Sequence, residues 1–145
     1  MSNLSAHFTL DEAILSQTAS RLGIVNDPDL NTVRNMKQAA LGMELVRLEL
    51  GGLPININSW YRSPDLNHAV GSKPTSDHIT GFAIDFTCPK FGSPRKIVEA
   101  IKSSNIQFQQ LILEFPDNGG WVHISFNGMK RQVLTIDSKG TREFV

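Results

Sequence analysis

The sequence predicts an α+β fold, with N-terminal helices packed on a mostly antiparallel sheet. Apolar residues recur at helical spacing through roughly the first third of the chain, behind recognisable helix caps. From about Ile55 onward, short runs alternate apolar and polar side chains between turns rich in glycine and proline. Helices first and strands afterwards segregate into an α+β arrangement rather than an alternating one.

Each element has its own local reason. "FTLDEAILSQTASRLGI" places Thr9 three residues before Glu12, the capping-box pattern, so a helix runs from there to about Arg21 and ends near Gly23. "NDPDL" puts Pro28 where the next helix can begin. In that helix Val33, Met36, Ala40, Met43 and Leu50 form a stripe, and Leu41, Leu45 and Leu48 widen it into a broad core face. Gly51 and Gly52 stop it. "ININS" alternates as a strand, and the loop-rich stretch after it holds a short helix from about Pro64 to Val70. "FAIDF" is the next strand. Ser93 caps a helix with Pro94 at its first position. "QLILEF" and "WVHISF" form a hairpin around "PDNGG", "RQVLTI" is a further strand, and the last residues fray.

At 145 residues and 40% hydrophobic composition, the chain suits one globular domain spanning residues 1–145. Fourteen basic residues balance fourteen acidic ones. That balance argues against nucleic acid as a partner, because such binding depends on neutralising phosphates. Cys88 is the only cysteine, so no internal disulfide forms and the thiol is read as a small buried hydrophobe. The opening "MSNLSAHFTLDEA" lacks a basic region followed by an apolar one, and no run is long enough to span a bilayer. The expectation is a soluble monomer, cytoplasmic as synthesised, without membrane insertion.

The chemistry concentrates in "SDHITGFAIDF" and "WVHIS". Along "FAIDF", Phe82, Ile84 and Phe86 share one face, and Asp85 shares the other with only Ala83. Along "WVHIS", Val122 and Ile124 face the core while Trp121, His123 and Ser125 face away. Two strands therefore each present a metal-ligand type from the non-core side. His78 joins them only if the chain doubles back, since seven extended residues reach roughly 23 Å. Gly81 permits that reversal. Two histidines and a carboxylate are a catalytic zinc shell with a fourth position left for water. Taken alone, a histidine and an aspartate seven residues apart are weak, because most histidines are surface or hydrogen-bonded core residues. His7 and His68 show no supporting partners in the sequence and stay unassigned.

Ser76, His78, Gly81, Ala83 and Asp85, as S-x-H-x-x-G-x-A-x-D, followed downstream by W-V-H-I-S, resemble the zinc D-Ala-D-Ala carboxypeptidase and peptidoglycan endopeptidase family, peptidase family M15. "SWYRSPDLNHAVG" is similar to the S-x-Y-R-S-P-x-x-N signature of its small phage-type branch. The resemblance runs from about Ile55 to Ser125, roughly half the chain, and is specific because three motifs fall in order. It implies Zn2+ bound by His78, Asp85 and His123, and the α+β fold shared with the Hedgehog signalling domain. It also implies that Arg62 binds a substrate carboxylate, a role its planar fork suits.

A general base should stand within hydrogen-bond reach of the zinc site. Several relatives carry an acid three residues before the last histidine; Gly120 occupies that position here. Glu114 and Asp117 compete for the role. A four-residue "DNGG" loop would pair Phe115-Pro116 with Trp121-Val122 and set Glu114 directly opposite His123, so Glu114 leads and Asp117 is the alternative base. Ser76 orients a ligand or contacts substrate, and Trp121 walls the cleft. The function implied is a zinc metallopeptidase acting on peptidoglycan stem peptides, of the phage endolysin or carboxypeptidase kind. It would be released to the bacterial cell wall by a separate permeabilising protein. A zinc-stabilised, non-catalytic binding module of the Hedgehog-like fold is the alternative.

Overall fold

The computed structural model describes residues 2–145. The expected first helix is two: α1 (Leu10–Ile14) and α2 (Gln17–Leu22). The Thr9–Glu12 capping box forms at the start of α1. Ser16 then accepts from the Ala19 amide and starts a second helix, so the chain turns extended at Leu15. Gly23, left-handed at φ 67°, ends α2.

The long helix α3 (Leu30–Glu49) begins two residues past Pro28, because Asp29 is the cap and accepts from the Thr32 amide at 2.8 Å. Its buried residues are Met36, Ala39, Ala40, Met43 and Val46, with Leu50 at its end. Leu41, Leu45 and Leu48, expected in the core, are exposed. The two small alanines let the backbone lie close to the rest of the core and centre the contact face on themselves. At 3.6 residues per turn the three leucines then point to solvent.

The sheet contains β1 (Asn56–Ser59), β2 (Ala83–Thr87), β3 (Gln110–Glu114), β4 (Trp121–Ser125), β5 (Gln132–Asp137) and β6 (Gly140–Glu143) in spatial order β1-β2-β4-β3-β5-β6. Every neighbouring pair is antiparallel except β3–β5. The tail expected to fray is β6, hydrogen-bonded to β5. Phe144 beyond it is buried, with the Arg95 and Lys102 cations over its ring at 5.3 and 5.6 Å.

Short helices fill the connections: α4 (Pro64–Ala69), α5 (Asp77–Thr80) and α6 (Pro94–Lys102), the last capped by Ser93 as its sequence predicts. Ile84, Phe86, Leu111, Leu113, Val122 and Ile124 form the sheet's core face, joined by Met36 and Met43 of α3 and Ile97, Val98 and Ile101 of α6. Cys88 is buried among them. The alternate residues Asp85, Glu114, Trp121 and His123 point to the opposite face, where the polar chemistry gathers.

Candidate active site

β2 and β4 pair so that Asp85 stands directly across from His123. His78 reaches the same spot from α5. Ser76 caps that helix by accepting from the His78 amide at 3.2 Å, and Gly81 closes it at φ 85°. A Cβ on Gly81 would come within 2.6 Å of Met36, so both the conformation and the space require glycine there. The reversal expected at Gly81 is thus a one-turn helix with a left-handed end.

One ligand atom from each of His78, Asp85 and His123 lies within 4.8 Å of the other two. Asp85 Oδ2 is 3.3 Å from His78 Nε2, and Asp85 Oδ1 is 2.9 Å from His123 Nδ1. His78 Nδ1 is 2.7 Å from the Trp60 carbonyl oxygen. A carbonyl only accepts, so Nδ1 donates to it, which leaves Nε2, on the Asp85 side, as the atom available to a metal. A His2Asp donor set on this scale, with one imidazole already oriented, fits one zinc-type cation.

Burial pushes the Asp85 carboxyl up, but His78 and His123 outweigh it and hold it below the usual range. Burial pushes His123 down, and its contact with Asp85 more than reverses that. Arg62 donates from Nε to Ser59 Oγ at 3.1 Å and from Nη1 to Asn67 Oδ1 at 3.3 Å, and its Nη2 lies 3.5 Å from Asp85 Oδ2. The fork expected to await substrate is therefore engaged on all three nitrogens, one of them against a candidate metal ligand.

The β3–β4 register differs from the expected one by two residues. Glu114 pairs with Trp121, and Ile112 stands opposite His123. The loop spans 115–120 because Phe115 leaves the hairpin: its amide donates to Ile136 of β5, its φ is 47°, and its carbonyl accepts from Asn118 and Gly120. An even slide preserves the face. Glu114 therefore still shares the site's side of the sheet, as the diagonal neighbour of His123 rather than the direct one. Burial pushes the Glu114 carboxyl up, and the Asp85 charge adds to that.

Asp117 is exposed on the turn and is not drawn into the cluster; its charge contributes to raising Arg142. Gly120 has a steric explanation: a Cβ there would meet backbone atoms of Pro116, Glu114 and Phe115 at 2.9–3.1 Å. An acid at that position would clash with this loop. Trp121 is half-buried and stacks on Phe115 at 5.6 Å, and its Nε1–H has no partner among the described residues.

Sequence reasoning passed over three residues. Trp60 holds the His78 helix from both sides, accepting from His78 Nδ1 and donating from its own Nε1 to Gly81 O at 2.9 Å. Asn26 is buried, donates to the Ile14 and Tyr61 carbonyls, and accepts from the Ser63 amide at 2.7 Å, so it brackets Arg62. Asn67 accepts from Arg62 and donates to the Lys73 carbonyl. Trp60 and Asn67 lie inside "SWYRSPDLNHAVG", Asn67 as the closing asparagine of the quoted signature, a usable signal; Asn26 lies in an ordinary loop and offers none. His7, expected to be partnerless, meets Glu44 at 2.7 Å. His68 is exposed on α4 and makes no side-chain hydrogen bond among the described residues.

The fold and the site together define a class: an α+β protein whose sheet presents a His–Asp–His cluster suited to a single metal ion. The chain belongs to the Peptidase M15 family, which matches residues 6–125. Membership places it among hydrolases that act on peptides. No curated protein matches the chain. Among the described residues, no helix is long and apolar enough to cross a membrane.

Proposed function

We propose that the protein is a zinc metallopeptidase that hydrolyses amide bonds in bacterial cell-wall peptides, with His78, Asp85 and His123 holding the ion. The observation that carries this reading is the three-donor cluster with Glu114 beside it on the same face. Bound zinc supplies Lewis acidity toward the scissile carbonyl and the attacking water. The Glu114 carboxylate takes the proton of that water and delivers it to the leaving amine, and its partly desolvated position suits such a base. Arg62 lies against Asp85 and has N–H capacity left on its terminal nitrogens for a substrate oxygen. Trp121 walls the cleft beside Glu114, its buried indole N–H pulling that carboxyl down against the effect of burial. Ser76 orients His78 through the helix cap.

Family membership and the helix-backed, mostly antiparallel sheet support a Hedgehog/DD-peptidase type of fold. The "SWYRSP" stretch supports a role as a phage endolysin-type enzyme. A non-catalytic zinc module is the second reading, favoured by the missing acid at Gly120. Purified cell-wall sacculi, incubated with metal-stripped and zinc-loaded protein, separate the two. Zinc-dependent release of soluble peptides, read by mass spectrometry, is the expected result. Zinc binding without any release supports the module.

A further inference from the structure

His78 rides on a single turn of helix, α5. Such a turn does not hold itself, because helix nucleation is unfavourable and so short a segment gains too few internal hydrogen bonds to offset it. Its shape therefore comes from its surroundings. The Thr80 carbonyl accepts from Asn35 Nδ2 of α3 at 2.9 Å, and the His78 carbonyl accepts from the Arg62 amide at 3.1 Å. Thr32 and Met36 of α3 crowd Gly81 at the end of the turn.

Among the described residues, Trp60 alone bonds both the end of this turn and the ring of the ligand. Its indole Nε1 donates to the Gly81 carbonyl at 2.9 Å, and its own carbonyl accepts from His78 Nδ1 at 2.7 Å. Gly81 is buried, so its carbonyl depends on that indole. Trp60 is 1% exposed, with the buried Phe8 ring edge-on to it at 6.2 Å, and this packing fixes the direction of its N–H. None of these contacts involves Asp85 or His123, so the imidazole is aimed without help from the other two donors. The S-x-Y-R-S-P signature leaves the position of Trp60 open, and the indole clamp is not part of it. A site binds its ion more weakly in proportion to the fraction of molecules in which the donors are out of place. A clamp of this kind raises the competent fraction. At saturating zinc the donors are gathered with or without the clamp, so turnover is spared.

Resting on the zinc-site reading above, we propose that Trp60 is a positioning residue of the metal centre: its indole holds the α5 turn in the ligating shape and so sets zinc affinity rather than turnover. The test measures zinc affinity of the metal-stripped full chain by competition with a chromogenic chelator. Denaturation curves of the same protein, and peptide release from sacculi at saturating zinc, accompany it. Trp60→Phe deletes the indole N–H and keeps a ring. It should weaken zinc about 10–100-fold while release at saturating zinc stays close to wild type. Where Trp60→Phe does not fold, 3-benzothienylalanine at that position, which keeps the indole shape and lacks only the N–H, reads the same bond. Ile101→Val, a core change on α6, should lose stability yet keep its zinc affinity. Imidazole 15N spectra of the metal-stripped protein should show His78 protonated on Nδ1 in wild type and as a mixture of tautomers in Trp60→Phe. Wild-type zinc affinity in the position-60 variants overturns the proposal. Equal weakening in Ile101→Val also overturns it, leaving general stability as the cause. A wild type that binds no zinc overturns instead the metal-site reading on which the proposal rests, and the affinity measurement stands whether or not the protein cleaves.

Discussion

Asp85 and Asp137 both sit well below the usual carboxylate range, one inside the family-matched region and one beyond it. Asp137, at the β5–β6 hairpin, is gripped by both terminal nitrogens of Arg142 at 3.0 and 2.7 Å and by the Lys139 amide at 2.9 Å, which brings it to about 2. Asp85 makes longer contacts, 2.9 to 3.5 Å, to two histidines and an arginine, and it is buried. By distance the hairpin pair is the better salt bridge. By consequence the order reverses. Water screens Asp137 and Arg142, so their pair adds little to stability. Around Asp85 water is excluded, and burying a charge with imperfect partners costs more than an apolar core would. A protein keeps such an arrangement where a further cation or a reaction uses it. A short ion pair thus marks a local clasp, and a looser buried one marks a site.

The sharpest break of this comparison is at the cluster. His123→Ala or Asp85→Ala should take zinc from about one ion per chain toward none, since even residues that merely orient ligands are worth 10–100-fold in affinity. Metal analysis of the purified variants checks it, and unchanged stoichiometry rejects the ligand assignment. Next comes the base. Glu114→Gln should keep zinc and fold but lose on the order of 10²–10⁴-fold in kcat, while Asp117→Asn changes little. If the two variants behave the other way round, the loop acid is the base.

A smaller effect tests what positions Arg62. Asn26→Ala leaves the Ser63 amide and the Ile14 and Tyr61 carbonyls without their partner, a loss of about 1–3 kcal/mol. Chemical denaturation measures that loss. Asn26→Asp keeps the acceptor for Ser63 but sets a carboxylate against the Ile14 and Tyr61 carbonyls, so it should be destabilised at least as much as Asn26→Ala. The smallest effect belongs to the hairpin. A carboxyl whose folded-state value lies below its unfolded one is better ionised when folded. Its contribution is therefore complete above the ordinary value of 3.8 and fades as pH falls toward about 2. Acid unfolding curves of wild type and Asp137→Asn should differ slightly at neutral pH and converge below that window. A large gap at neutral pH would mean that the clasp holds more than its own hairpin.

Much of the molecule is local and so could be read along the chain. The Thr9–Glu12 box, the Ser93–Pro94 start, the glycine stop after α3 and the alternation in "FAIDF" and "WVHIS" depend on residues a few positions apart, and each forms where expected. The same locality made the cluster legible: strand alternation puts Asp85 and His123 on one face, and Gly81 returns His78 to it. Tertiary structure decided the rest. Phe115 leaves the hairpin because its amide is taken by Ile136, a partner about twenty residues away on a parallel strand, and the register slides by two as a result. Glu114 kept its side of the sheet only because side chains repeat every second residue. Leu41, Leu45 and Leu48 are exposed because the alanines of α3, not its leucines, lie against the core. Arg62 is held by Ser59 and Asn67 of its own stretch, but its third nitrogen is engaged only because β2 brings Asp85 to it. A sequence specifies its near neighbours through backbone geometry and short hydrogen bonds. Which distant group answers a given donor is settled only when the packed chain brings them together.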